Sequence, residues 1–410
     1  MRRQVVLWAA FALVHAWVAW LGWVLPNQPM GDVSLVYEPW SQRALSGIAI
    51  VGVTEPWVYP ALALAPMLLA QAPAAVLGSY ELGWPVLVTV LDAAAFALLV
   101  GRATSVSRRT AAWCWLVYAA LLGPVGMYRL DAVTVPLAVA GVLWLAGRPA
   151  VAGALFAAGA WIKVWPAALL AAGVVAARRR ASAVALVVGA FVCTAVVCAV
   201  VAVAGGARHL LGFVTTQQGR GLQIEAPAAT PYLWGAMAGR EGWSLYYDPQ
   251  ILTFQVAGPG VDVVSGLMNP LLAVAAVAIL SLAAVKARRG AAVRGLLPPA
   301  ALALTLAFIV CNKVGSPQFH TWLIAPLVLW LLWDRRRARP LVALALVCAA
   351  LTQLVYPVAY WSLLLIEPVG VLAVTARNCC VVALFAWAVV RLAGVPVTTA
   401  TRVDRAPQPQ

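Results

Sequence analysis

Long apolar runs rich in Ala, Leu and Val alternate along the chain with short basic clusters. Many approach the roughly 20 residues needed to cross a bilayer as a helix. They predict spans at approximately 4–25, 83–101, 110–127, 131–147, 149–162, 164–177, 181–205, 262–285, 295–311, 318–333, 340–357 and 368–391. The runs are continuous, not alternating, which disfavours a β-barrel. One tract is ambiguous: if Tyr59–Leu77 crossed the membrane, the cluster Arg102, Arg108 and Arg109 would fall outside, against the positive-inside rule. Tyr59–Leu77 is therefore expected as a re-entrant or interfacial segment on the outer face, interrupted by Pro60, Pro66 and Pro73. The resulting fold is an all-α polytopic membrane bundle of about twelve transmembrane helices, with both termini cytoplasmic. Its membrane domain spans residues 1–395, its outer loops 26–82 and 206–260, and its cytoplasmic tail, 396–410, is expected to be disordered.

Composition strengthens this picture. Of the 410 residues 64% are hydrophobic and 10% charged, against about 45–50% and about 25% in soluble domains. The net charge of +15 lies in short clusters between apolar runs, most of them on the predicted inner side. That placement excludes a nucleic-acid surface. Acidic residues divide the other way: Asp32, Glu38, Glu55, Glu81, Asp131, Glu225, Glu241, Asp248, Asp262 and Glu367 fall outside or at outer span ends. Orientation is set by Lys and Arg, so this acidic asymmetry is a separate observation, and it concentrates polar chemistry on one face. The seven Cys lack zinc-ligand spacing and are expected to pack as small hydrophobes. Met1–Leu25 has a basic start but no small-residue cleavage site, and reads as a first span, not a signal peptide.

The stretch Pro26–Pro60 carries Asp32, Glu38, Arg43 and Glu55 in a chain that otherwise uses little charge. Ionisable residues cost about 2.5–3.5 kcal/mol each at bilayer depth, so such a cluster beside a span lies outside the lipid or serves function. Four further polar sites end or begin spans on the same side: Arg129 with Asp131, Lys163 in WIKVWP, Arg220 with Glu225, and the segment Asn312–His320 with Lys313, Gln318 and His320. A carboxylate among cations suits transfer to a hydroxyl from a donor with an anionic leaving group: the carboxylate takes the acceptor proton and the cations stabilise the departing phosphate. Each site also has a structural reading. Asp32 could cap a helix, Arg129 and Asp131 could be structural ion-pair members, Lys163 could snorkel, Arg220 and Glu225 could brace a loop, and His320 could be a core histidine. Asp92, Arg377, Tyr356 and Tyr360 are expected in interhelical hydrogen bonds.

The succession Gly31-Asp32, Tyr59-Pro60, Arg129 with Asp131, Lys163 with Pro166, RGLQIE (Arg220–Glu225) and SPQFH (Ser316–His320) resembles the GT-C glycosyltransferases. Within them it is most similar to glycosyltransferase family 87, the polyprenyl-phosphate-mannose-dependent α-mannosyltransferases of actinobacteria. The resemblance implies a membrane enzyme with its site on the periplasmic face, moving mannose with inversion from a polyprenyl phosphate to a glycolipid hydroxyl. It implies Asp32 as general base and His320, Lys163, Arg129 and Arg220 around the donor phosphate and acceptor. Gly31-Asp32 is followed by Val33 and Ser34 without a paired acid, so neither metal nor other cofactor is expected. The expected partners are the lipid-linked donor, the glycolipid acceptor and membrane lipids. The alternatives are the same scaffold using another polyprenyl-linked sugar such as arabinofuranose, a lipid or sugar transporter (flippase), or an idle lipid-binding scaffold. A transporter would show internal repeats and polar groups at mid-membrane in both halves.

Overall fold

The computed structural model describes residues 2–249 and 251–397, and most of the expected tail, 398–410, lies outside them. The fold is predominantly helical. In chain order the helices are α1 (Arg2–Val24), α2 (Glu38–Leu45), α3 (Leu64–Leu77), α4 (Tyr80–Val100), α5 (Val106–Leu122), α6 (Leu130–Trp144), α7 (Pro149–Ile162), α8 (Pro166–Ala176) and α9 (Arg180–Val203). They continue as α10 (Gly212–Gln218), α11 (Thr230–Met237), α12 (Val261–Arg288), α13 (Val293–Val310), α14 (Ile324–Trp333), α15 (Arg335–Gln353), α16 (Tyr360–Leu364) and α17 (Pro368–Ala393). A hairpin of β1 (Ser244–Asp248) and antiparallel β2 (Thr253–Ala257) lies in the loop between α11 and α12.

Among the described residues seven helices are long and apolar enough to cross a membrane: α1, α4, α9, α12, α13, α15 with its π-helical extension to Val358, and α17. Five of the twelve expected spans fold shorter. Their helices α5, α6, α7, α8 and α14 have 17, 15, 14, 11 and 10 residues, and at 1.5 Å per residue the shortest reach only about 15 Å. Burial explains how short helices persist here. Residues Ile324–Leu331 of α14 and most of α6 are buried inside the bundle, so neither presents a full-length face to lipid. The longer helices surround them: only 17% of the α12 window and 28% of the α9 window is buried, against 72% for central α13. Val184, Val188, Phe191, Val196 and Val200 on α9 point outward, as lipid-facing side chains do.

Residues 59–77 form a 3₁₀ turn and the 14-residue α3, too short to span alone. Gly78, with φ of 74°, ends α3 and turns the chain back into α4. Gly83 lets the two helices touch, because a β-carbon there would strike the backbone of Ala70 and Ala74. Inside the bundle, His15 Nε2 and Asp92 Oδ2 lie 3.1 Å apart and join α1 to α4.

Contacts between remote segments define two ends. At one, Gln4 donates to the Gly101 carbonyl, Arg2 and Arg3 share a crevice with Arg109, and Lys286 donates to the carbonyls of Ala393 and Val395. The opposite end gathers the loops after α1, α5, α7, α9, α13 and α15, where the polar motifs of the sequence lie.

Candidate functional site

The site begins with the exit of α1. Asn27 and Gln28 adopt left-handed φ of 64° and 50° and turn the chain back over the bundle. Asn27 donates to the Pro357 carbonyl at 2.6 Å, and the Pro29 carbonyl turns toward Arg129. Asp32 then precedes a single π-helical turn, Val33–Tyr37. The wider turn stacks positions five apart, so the Tyr37 hydroxyl reaches Asp32 Oδ2 at 3.4 Å while accepting the Leu130 N–H at 3.1 Å. Tyr37 thereby fixes Asp32 against the start of α6.

Arg129 is extended just before α6 and almost fully buried. Its Nε lies 3.4 Å from Asp32, while its other nitrogens donate to the carbonyls of Pro29 (2.7 Å) and Tyr128 (3.0 Å) and to the Tyr356 hydroxyl (2.9 Å). Burial opposes the Arg129 charge, but Asp32 and the surrounding tyrosines outweigh it and raise the pKa above the usual value. With its donors committed to protein oxygens, Arg129 anchors Asp32.

Asp131, in the first turn of α6, is 1% exposed. Trp322 donates to its Oδ1 at 2.6 Å and Lys163 lies 3.5 Å from its Oδ2. Lys163 ends α7 and also sits 4.6 Å above the Tyr59 ring. Burial works against the Lys163 charge, but Asp131 and then Tyr59 overcome it and hold the pKa above an ordinary lysine's. Tyr59 feels Lys163, Asp32, Asp131 and Arg220 together, so it lies among both carboxylates and two cations. Asp32 is the more open carboxylate, its side chain 36% exposed against 1% for Asp131.

A second group closes the far wall. Residues 222–224 lie along β2: Ile224 N–H donates to the Phe254 carbonyl, Val256 N–H to that of Leu222, and Gln223 N–H to that of Lys313. This brings Arg220 and Lys313 together. Arg220 is half-buried with Nε unpartnered, and burial lowers its pKa. Lys313 is lowered by burial and then by Arg220. Behind them Glu225 and Arg377 form a buried ion pair at 2.9 Å, with Arg377 Nη2 also on the Glu225 carbonyl at 2.7 Å.

Of the residues singled out in the sequence, Asp32, Arg129, Asp131 and Lys163 meet in one cluster, with Arg220 and Lys313 on its rim. Glu38 does not join them: it opens α2, accepts from Gln42 at 2.9 Å and faces Glu81. Gln318 is half-buried in the 3₁₀ turn Pro317–Leu323. His320, in the same turn, is 2% exposed, with Nδ1 3.2 Å from the Pro317 carbonyl and Nε2 buried without a partner. It senses Arg377 and does not touch Asp32, because the turn points it into the bundle. The sequence left Tyr37, Tyr59, Tyr356 and Arg377 outside the site, and all four bond to or bound the cluster or its supporting loop.

The profile of glycosyltransferase family 87 matches residues 57–317, well over half of the sequence. The chain belongs to glycosyltransferase family 87. No curated protein matches it. The matched stretch holds Tyr59, Arg129, Asp131, Lys163, Arg220, Glu225 and Lys313; Gln318 and His320 lie just past its end, and Asp32 lies well before its start at residue 57. This family 87 enzyme is a multi-pass membrane glycosyltransferase.

Proposed function

We propose that the enzyme transfers a mannosyl residue from a polyprenyl-phosphate donor to a lipid-borne hydroxyl at the extracytoplasmic face, with inversion. Asp32 takes the proton of the acceptor hydroxyl as its oxygen bonds to the sugar's anomeric carbon. The bond from that carbon to the phosphate oxygen breaks, and the electron pair leaves with the prenyl phosphate. Arg220, Lys163 and Lys313 stabilise the charge that develops there, so the reaction needs no metal ion. Arg129 holds Asp32 in place and does not meet the phosphate.

The observation that carries this reading is the contrast between the two aspartates. Asp131 is locked by Lys163 and Trp322, whereas Asp32 keeps an open edge while Arg129 and Tyr37 fix its position. The amide in Asp32→Asn has similar shape but cannot take the proton. In proteoliposomes supplied with polyprenyl-phosphate-mannose and a glycolipid acceptor, Asp32→Asn should lose roughly 10²- to 10⁴-fold in kcat, with the donor Kd little changed. Undiminished transfer by that variant would remove Asp32 from the mechanism.

A further inference from the structure

A groove of about 800 Å³ runs between α11 and the middle of α17, beside the Glu225–Arg377 pair. Its volume falls in the range of small-molecule sites, roughly 300–1,000 Å³. Pairings across it fix its polarity. Thr230 accepts from Asn378, and Trp234 donates to Thr375. As α17 runs inward from Pro368, α11 therefore climbs toward the polar end, and the chain beyond it carries Arg240 to that end. The other end, at Val382 and Ala386 on a membrane-spanning helix, is apolar.

Arg240 is exposed, its guanidinium 5.7 Å from the Trp243 ring centre. Among the described residues it forms no ion pair. The cations facing Asp32 belong to other segments, so this groove has a cation of its own. A slot with a positive group at its polar end and an apolar floor on a helix long enough to cross a membrane complements an anionic lipid.

We propose that the groove binds an anionic phospholipid, its phosphate on Arg240 and one acyl chain along Val382 and Ala386, at a site separate from the reacting cluster. The bound chain lies against Pro227 and Thr230, immediately after Glu225, and so braces the loop that carries Arg220.

Cys379 lines the groove and is exposed, which makes it a native reporter; half-buried Cys198 on α9 is the internal reference. The full chain is placed in nanodiscs of phosphatidylcholine with or without phosphatidylglycerol. Both cysteines are alkylated with a membrane-permeant maleimide, and peptide mass spectrometry reads each site. Phosphatidylglycerol should slow alkylation of Cys379 several-fold and leave Cys198 unchanged, and Arg240→Gln should abolish the difference. Equal reactivity of Cys379 in both bilayers overturns the proposal, as does a difference that survives Arg240→Gln. Protection by added polyprenyl phosphate but not by phosphatidylglycerol also overturns it, by giving the groove to a lipid-linked donor.

Discussion

Asp32 and Asp131 sit in one cluster, yet what holds each of them predicts different consequences of the same substitution. Asp131 is the counter-ion of a largely buried lysine and accepts from a buried indole, so Asp131→Asn strands the Lys163 charge. Breaking one side of a buried pair costs about 3–5 kcal/mol, and thermal unfolding in detergent should show that loss. Asp32→Asn also takes a counter-ion from buried Arg129, but Arg129 keeps the oxygens of Pro29, Tyr128 and Tyr356 and Asp32 sits at an open edge. This variant should therefore lose less stability than Asp131→Asn while losing transfer; equal destabilisation by both would erase the distinction. Lys313 sets a second expectation. Its lowered pKa means that its charge is lost at a lower pH than the about 10.4 of a free lysine. The donor KM should therefore rise on the alkaline side before free lysine would titrate. Lys313→Arg, which stays charged, should flatten that rise, and an unchanged pH profile in this variant would clear Lys313. The charged members of this cluster were legible in the sequence because ionisable residues at span ends are rare and costly. The tyrosines were not: aromatic residues are common at membrane boundaries, and no spacing marks Tyr37 or Tyr356 as partners of Asp32 and Arg129. Sequence could not divide the arginines either, since only the geometry shows Arg129 saturated by protein oxygens.

At the scale of elements, the site depends on two loops meeting backbone to backbone. A β-carbon on Gly315 would collide with the backbone of Glu225 and Ala226. Gly315→Ala should therefore separate the Lys313 loop from the Arg220 loop and raise the donor KM more than Arg220→Gln does alone. An unaltered KM would mean that the loops need not touch. Glu225 and Arg377 pin the same loop to α17. Arg377→Gln leaves a buried carboxylate unpaired and should cost about 3–5 kcal/mol, while replacing both by methionine should recover much of the loss. Denaturation of the two variants side by side distinguishes a pinning pair from a bystander. The helices were readable from apolar length, but of the three prolines expected to interrupt 59–77 only Pro60 stands outside a helix: Pro66 and Pro73 lie within the continuous α3. The β1–β2 hairpin was not read, because two five-residue strands in an aromatic-rich outer loop give too little alternation to stand out. Helix lengths in the interior escaped for a different reason: hydropathy reports that a run is apolar, not whether lipid or protein covers it.

For the whole molecule, the short helices set the number of passes. The chain contacts gather the basic loops at one end and the Asp32 cluster at the other, and seven helices have the length to join those ends. The twelve-pass reading requires α6, α7 and α8 to bridge the same ends although they extend only about 17–23 Å. A thinner path through the bundle is physically admissible, because irregular backbone and polar groups are tolerated at membrane depth where protein covers them. Arg148, between α6 and α7, decides the matter. Single cysteines at Gly47, Arg148 and Arg289, in a chain freed of its seven native cysteines, should respond to an impermeant maleimide from opposite sides. Gly47 is expected to label from the extracytoplasmic side, and Arg148 and Arg289 only after the cytoplasmic side is opened. Labelling of Arg148 together with Gly47 would make α6 and α7 a re-entrant hairpin and lower the number of passes by two. Labelling of Gly47 with the cytoplasmic set would invert the protein and place sugar transfer on the cytoplasmic side.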